Sequence, residues 1–395
     1  MISSYRNSFN ENFSEEKYQA FLDSLMDGYP KISFRVAETP VFIPKELSDK
    51  LVAAGEEIVK LIKQDNFKSL TAQAIPELWR VPGEEGHPHF LTFDFGITKD
   101  STGELMPMLI EMQGFPSLYG FQLHLADQYN EVYGLDEKLT PFFGDLEAPR
   151  YLEMLKKVIL GDHQPHEVAL LDVDAPNQKT AIDFYVTQKY VGMKILSLTD
   201  IFQEGTALFY MDNGEKIRLK RIYNRLIFDE LTGQQDPFKD SFDPRGELDV
   251  EWVTHPNWFY RISKYTMPFL KSRFVPETYF LNELSAVPAD LENYVLKPLF
   301  SFAGMGVVID VSLEDIQAIK DPENWILQKK VNYEPVVAAP GAGVKVELRL
   351  MYLWPDGGEP QLCINLARLS KGKMIGVRYN QDFDWVGGTV GLMLP

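Results

Sequence analysis

The chain has 395 residues, 45% hydrophobic and 24% charged, the balance of a globular protein large enough for two or three domains. Asp and Glu number 57 against 39 Lys and Arg, and the formal net charge of −18 argues against partners rich in phosphate, whether nucleic acid or anionic lipid. The single cysteine, Cys363, excludes an internal disulfide framework and a cysteine-rich zinc site.

The opening run MISSYRNSFNENFSEEKYQ lacks the apolar centre of a signal peptide. No apolar stretch reaches the roughly 18 residues that a membrane helix needs. A cytoplasmic protein with neither membrane nor nucleic-acid partners is the expectation. Leu47, Leu51, Val52, Ile58, Val59 and Ile62 recur at helical spacing, which predicts a packing helix. Two strand-like runs follow, HFLTFDFGI and PMLIEMQ, joined by the turn-rich KDSTGE. In the first, Leu91, Phe93, Phe95 and Ile97 face one way, so Thr92 and Asp94 face the other. Paired as a hairpin, the strands bring Asp94, Glu111 and Gln113 onto one face. Three oxygen donors, two of them anionic, suit a hard Mg²⁺ ion. The polar outer face of an antiparallel hairpin explains them equally simply.

After the linker-like GDHQPHE, the runs EVALLDVD, TAIDFYVTQKYVG and MKILSLTDI read as strand, helix ending at Gly192, and strand. That is a βαβ unit, and it predicts a parallel sheet. The GxGxxG fingerprint is absent, so the layer is Rossmann-shaped without a dinucleotide site. From about residue 265 come the strands YVLKP, GVVIDV, NWILQKKV, VKVELRLMYLW and PQLCINLARLS. Ser312 and Asp315 cap an interleaved helix, SLEDIQAIK, so this region is an α/β or α+β layer. Cys363 lies within the last strand, between Leu362 and Ile364, and is expected to be buried.

Three features of this region could carry binding chemistry. Lys297 sits in an apolar strand where an unpaired ammonium is costly, and Ser301, Gly304 and Gly306 follow as a loop able to turn backbone N–H groups on a phosphate. A lysine snorkelling from a strand end is the competing explanation. The apolar strand WILQKKVNYEP stops abruptly at polar residues, as a slot for an adenine ring requires, and so does an ordinary edge strand. Arg349, Arg368 and Arg378 fall in or beside strands near Asn380, Gly387 and Gly388, a set suited to a triphosphate. Surface ion pairs would explain each arginine singly. His87, His89, His163 and His166 lie beside prolines in loops, without the spacing of a zinc site.

Taken together, these residues resemble the ATP-grasp superfamily over most of residues 90–395. Val295-Leu296-Lys297-Pro298 resembles its phosphate-lysine strand, and Ser263-Lys264 an earlier lysine that also reaches phosphate. Gln328, Lys329, Lys330 and Val331 resemble the adenine hinge, with Glu334 at the place of the ribose-binding acid. The stretch from Glu347 to Gly388 follows the superfamily's order of an acidic-x-Arg strand, further arginines and a glycine pair. Asp94, Glu111, Gln113 and Pro116 resemble the metal motif, which in most members comes after that glycine pair. Here it comes first, an order that resembles circularly permuted ATP-grasp proteins and the synthetase domain of glutathionylspermidine synthase. The run KRIYNRL, with Arg221 and Arg225, is similar to one that precedes the lysine strand in permuted members.

The resemblance implies a permuted ATP-grasp fold with a Rossmann-like layer before the nucleotide site. Residues 1–160 would hold an N-terminal helical region and the metal-binding strands, 161–262 the Rossmann-like layer and 263–395 the nucleotide-binding region. It implies an ATP- and Mg²⁺-dependent ligase joining a small-molecule or peptide carboxylate to an amine through an acyl phosphate. Asp94, Glu111 and Gln113 would hold the metal, Lys264 and Lys297 the phosphates, and Arg349, Arg368 or Arg378 the group in transfer. Two positions depart from the pattern: Gln113 stands where asparagine is usual and Thr92 where related synthetases carry arginine. They keep open a non-catalytic ATP-binding regulatory or scaffold protein, and a phosphotransferase on the same fold.

Overall fold

The computed structural model describes residues 1–84, 86–231, 238–239, 241–300, 305–372, 375, 380 and 382–395. Helix α1 (Glu15–Met26) starts at Ser14, whose side chain accepts the Lys17 N–H. Helix α2 (Lys45–Ile62) buries the stripe Leu47, Leu51, Ala54, Ile58 and Ile62, as its periodicity predicts. Strands β1 (Phe90–Lys99) and β2 (Leu105–Gln113) form the expected hairpin. Its turn is set by the Asp100 carboxylate, which accepts the backbone N–H groups of Thr102 and Glu104. Leu91, Phe93, Phe95 and Ile97 are fully buried in the same core as the α2 stripe.

Helix α3 (Tyr119–Tyr133) leads to the parallel layer. Strand β3 (Val168–Asp172), helix α4 (Ala181–Val191) and strand β4 (Lys194–Ser197) are the βαβ unit read from the sequence, with Gly192 closing α4 at φ +87°. Strands β5 (Arg221–Asn224) and β6 (Glu251–Val253) complete a parallel sheet in the order β6-β5-β3-β4. One expectation is corrected here. MKILSLTDI is not a single strand, because Ser197 and Asp200 form a reciprocal cap that turns Leu198–Asp200 into a short 3₁₀ segment. Ile201–Glu204 then joins a separate antiparallel sheet.

The rest of the chain supplies a small sheet and closes a large one. Strands β7 (Thr278–Phe280), β8 (Tyr294–Pro298), β9 (Val308–Ile309) and β10 (Trp325–Lys329) form an antiparallel sheet ordered β7-β10-β8-β9. The expected strand GVVIDV is therefore only two residues long. The capped helix that follows it spans Leu313–Ala318, with Ser312 and Asp315 bonded reciprocally. Strands β11 (Lys345–Leu353), β12 (Gln361–Ser370) and β13 (Gly387–Thr389) join the N-terminal hairpin in one antiparallel sheet, β13-β12-β11-β1-β2. Cys363 is buried within β12. Among the described residues no helix is long and apolar enough to cross a membrane.

Register in this central sheet decides which side chains meet. Asp94 lies opposite Glu111 on one side and Arg349 on the other, and Thr92 lies opposite Gln113. Glu347 lies between Gly96 and Arg368. Side chains alternate across a strand, so Glu347 and Arg349 share a face of β11. The polar residues of the sequence reading thus form one patch on a sheet whose other face is apolar.

The N-terminus of α3 is fixed by a buried carboxylate. Asp183 Oδ2 accepts the Leu118 N–H at 3.0 Å and its Oδ1 accepts the Phe121 N–H at 3.0 Å. Gly120 lies so close to α4 that a Cβ there would stand 2.3 Å from Thr187 Oγ1. Asp183→Ala leaves the helix N–H groups without an acceptor, and we expect a loss of about 3 kcal/mol. Equilibrium urea unfolding of the two proteins measures it.

Candidate active site

The polar patch of the central sheet faces the β8 and β10 strands of the small sheet across a cavity of about 1330 Å³. Pockets for a single small ligand span roughly 300–1,000 Å³, and this one is larger. Lys264, Lys297, Gln328 and Val331 line it from one side, and Glu111, Gln113, Glu347, Arg349 and Arg368 from the other.

Lys297 is the fourth residue of β8 and is buried. Its Nζ donates to Gln328 Oε1 at 2.5 Å and to the Ile110 carbonyl at 3.1 Å. The Gln328 amide is oriented by a second bond, from its Nε2 to Thr278 Oγ1 at 3.2 Å. Burial, reinforced by repulsion from Lys264, lowers the Lys297 ammonium to about 8 against the pull of Glu111 and Glu347. Lys264, also buried, follows Ser263, whose side chain accepts the Tyr265 N–H. Two ammonium groups that repel each other in a shared wall are arranged to meet an anion.

Opposite them is a buried ion cluster. Arg349 grips Asp94 with two parallel bonds, Nε to Oδ1 at 2.6 Å and Nη2 to Oδ2 at 2.7 Å. Arg368 Nη2 donates to the same Oδ2, and lies 3.2 Å from Glu347 Oε1. Burial alone would raise the Asp94 carboxyl, but Arg349 and Arg368 outweigh it and hold it at about 2. Glu347 responds oppositely. Burial and the nearby charges of Asp94 and Glu111 push it up, with Arg368 opposing. Tyr333 donates its hydroxyl to Glu347 Oε2 at 2.9 Å. The Tyr333 ring lies so close to Gly96 that a Cβ there would stand 2.6 Å from it. Gln113 Nε2 donates to Glu111 Oε1 at 3.3 Å.

Asp94, Glu111 and Gln113 are therefore neighbours, as the hairpin reading requires, but both oxygens of Asp94 are engaged by arginines. Of this carboxylate and amide cluster, Glu111, Gln113 and Glu347 line the cavity and Asp94 does not. Among the described residues no three His, Cys, Asp or Glu converge on a metal-sized site. The sequence reading names Glu347 as the start of the acidic-x-Arg strand but assigns it no role, and Tyr333 is not named at all. Glu347 was discoverable, standing two residues from Arg349 on one strand. Nothing local marks Tyr333.

Other expected residues are placed differently. Glu334 lies 3.5 Å from Lys99 Nζ and its N–H donates to the Ile97 carbonyl, so it is spent on β1 rather than on the cavity wall. Lys329 is exposed at the end of β10, and the neighbouring Lys330 lines the cavity while paired with Asp310 at 3.0 Å. Gly306 is at φ +71°, a backbone conformation that favours glycine. Ser301, Gly304 and Arg378 lie outside the described residues.

No family model matches the sequence, and no curated protein matches it. Among solved structures the chain is similar to a glutathione synthetase like-effector (GSS30) from Globodera pallida in the apo form, with a TM-score of 0.65 and 10% identity. The alignment covers 97% of this chain and 99% of that one. The chain therefore has a mixed α/β, glutathione synthetase-like fold across nearly its whole length.

The Asp94 cluster has a pH signature. A carboxyl held at about 2 in the folded protein against 3.8 ordinarily contributes about 2 kcal/mol above pH 4, lost as pH falls from 4 to 2. Asp94→Asn should be less stable than wild type at pH 7 by at least that amount. In urea unfolding at a series of pH values, the gap should narrow progressively below pH 4.

Proposed function

We propose that this chain is an ATP-dependent ligase of the ATP-grasp type, joining a carboxylate to an amine through an acyl phosphate with the help of Mg²⁺. The observation that carries the reading is the buried pair Lys264 and Lys297 facing Glu111, Glu347 and Arg368 across one cavity. Support also comes from the glutathione synthetase-like fold and from the chain order, in which the β1–β2 hairpin precedes the Lys297 strand yet joins β11 through β1, as a circularly permuted member would.

In this reading ATP is a substrate that turns a carboxylate oxygen into a leaving group. The carboxylate oxygen bonds to the γ-phosphorus as ADP departs. The amine nitrogen then attacks the acyl carbon, inorganic phosphate leaves, and the amine proton passes to solvent. Lys264 and Lys297 neutralise phosphate oxygens, and Arg368 steadies negative charge on the group in transfer. Arg349 acts through Asp94, which anchors both guanidinium groups in the sheet. Mg²⁺ would take oxygen donors from Glu111, Gln113 and Glu347, supplying charge neutralisation at the phosphates. Positioning and charge provide the catalysis, so no protein nucleophile is required.

A second reading rests on one observation. The engagement of Asp94 by two arginines, with Gln113 in place of asparagine, also suits a protein that binds ATP without turning it over. A screen for Mg²⁺-dependent ADP release over carboxylate and amine mixtures, with hydroxylamine to trap an acyl phosphate, separates the two. The ligase reading expects release and hydroxamate formation. It expects Lys297→Met to lower turnover about 100-fold or more, with the unfolding midpoint retained. Nucleotide binding without release under any mixture would favour the second reading.

Lys297 also predicts a pH dependence. The site should hold anionic phosphates through the protonated ammonium, which is lost as pH rises through about 8. Affinity for a non-hydrolysable ATP analogue should fall from pH 7 to pH 9 in wild type, and much less in Lys297→Met. Calorimetric titration at the two pH values measures it.

A further inference from the structure

The cavity extends beyond the lysine pair and the ion cluster into an arm built by the N-terminal region. Segment 31–36 forms its floor and is pinned on four sides. Tyr18 of α1 donates its hydroxyl to the Val36 carbonyl at 2.6 Å. The Phe34 ring meets Phe121 of α3 edge-on at 5.6 Å. Ser33 Oγ donates to the Lys179 carbonyl, just before α4, at 2.9 Å. The Gly388 N–H of β13 donates to the Arg35 carbonyl at 2.9 Å. The arm is thus continuous with the sheet that carries Arg368, whose residue pairs with Gly388.

Its lining has two characters. Leu22, Met26, Ile32, Phe34 and Phe121 give it apolar walls, and Leu22, Met26, Ile32 and Phe34 are only partly buried, leaving hydrophobic surface toward the space. Lys31 and Lys179 line the same cavity, both are exposed, and neither has an ion-pair partner among the described residues. Arg35, the third cation, is bonded to Glu38 and 3.4 Å from Asp384. None of the described lining residues from α1, segment 31–36, the start of α3 or residues 179–180 is acidic. The acidic lining residues are Glu111 and Glu347 on the central sheet and Asp310, which is paired with Lys330. In a chain of net charge −18, a locally cationic, apolar arm selects against a polycation.

We propose that this arm seats the acceptor, and that the acceptor is an amine carrying its own carboxylate on an apolar body, an apolar amino acid or short apolar peptide. The apolar body lies against Leu22, Ile32, Phe34 and Phe121, and its carboxylate is held by Lys31 and Lys179. The assignment of the occupant as an acceptor rests on the ligase reading, whereas its chemistry rests on the arm alone.

The test is calorimetric titration of leucylleucine, glycylglycine and spermidine into the full chain, with and without a bound non-hydrolysable ATP analogue. Leucylleucine is expected to bind at least tenfold more tightly than glycylglycine and spermidine. The double variant Lys31→Glu/Lys179→Glu should lose at least tenfold in leucylleucine affinity, with unchanged unfolding midpoint and unchanged affinity for the analogue. Leu22→Asp, at a half-buried position of α1 that lines the arm, should weaken leucylleucine without affecting the analogue. Spermidine binding as tightly as leucylleucine overturns the proposal, as does leucylleucine affinity that ignores both variants. Analogue binding without any dipeptide binding overturns the arm assignment and leaves the ATP reading intact. Dipeptide binding without analogue binding does the reverse, supporting the arm's chemistry and removing the ligase role.

Discussion

Asp94 sits in the middle of a five-stranded sheet with almost none of its surface exposed, and a carboxylate in that position is tolerated only if its charge is matched. Two arginines from two different strands match it: Arg349 on β11 by a bidentate grip and Arg368 on β12 by a further bond. The consequence is architectural and electrostatic at once. The cluster ties the N-terminal hairpin to strands some 250 residues later, the separation being 255 for Arg349. It also leaves Arg368 touching Glu347 at the cavity wall, so the state of Asp94 is transmitted to the group that would face a phosphate.

From that constraint the rest of the cavity follows. Fixing β1 against β11 places Glu111 and Gln113 of β2 beside Glu347, concentrating acidic groups opposite Lys264 and Lys297. Each half is unfavourable alone. The lysines repel each other, and Glu347 is pushed toward its protonated form by burial and by its carboxylate neighbours. A ligand that brings phosphate oxygens to the lysines, together with a cation for the carboxylates, relieves both strains. Under the proposed ligase reading, Mg²⁺ with a nucleotide is such a ligand.

Much of this was legible from local pattern. Strict alternation in HFLTFDFGI told which residues share a face, and the helical stripe from Leu47 to Ile62 told what covers the other face. The βαβ unit ending α4 at Gly192 followed from period and cap chemistry. Partners across long separations were not legible. Alternation puts Asp94 on the polar face but says nothing of Arg349 opposite it, so a metal role and an arginine anchor looked alike. Glu334 carries the right charge at a suitable spacing, yet a backbone bond from its N–H to Ile97 directs the chain to β1. Segment 31–36 has no motif at all, and its role as a cavity floor arises from four contacts made by four different elements.

The central claim is that the cavity holds a metal–nucleotide, with the lysines on phosphate and Asp94 reserved for the arginines. Diffraction from crystals grown with a non-hydrolysable ATP analogue and Mn²⁺ in place of Mg²⁺ tests it most directly, because anomalous scattering locates the metal. The account predicts phosphate density against Lys264 and Lys297, a metal peak beside Glu111, Gln113 and Glu347, and an intact Asp94–Arg349 pair. A metal bound to Asp94 with Arg349 displaced, or a nucleotide bound elsewhere on the protein, would contradict it.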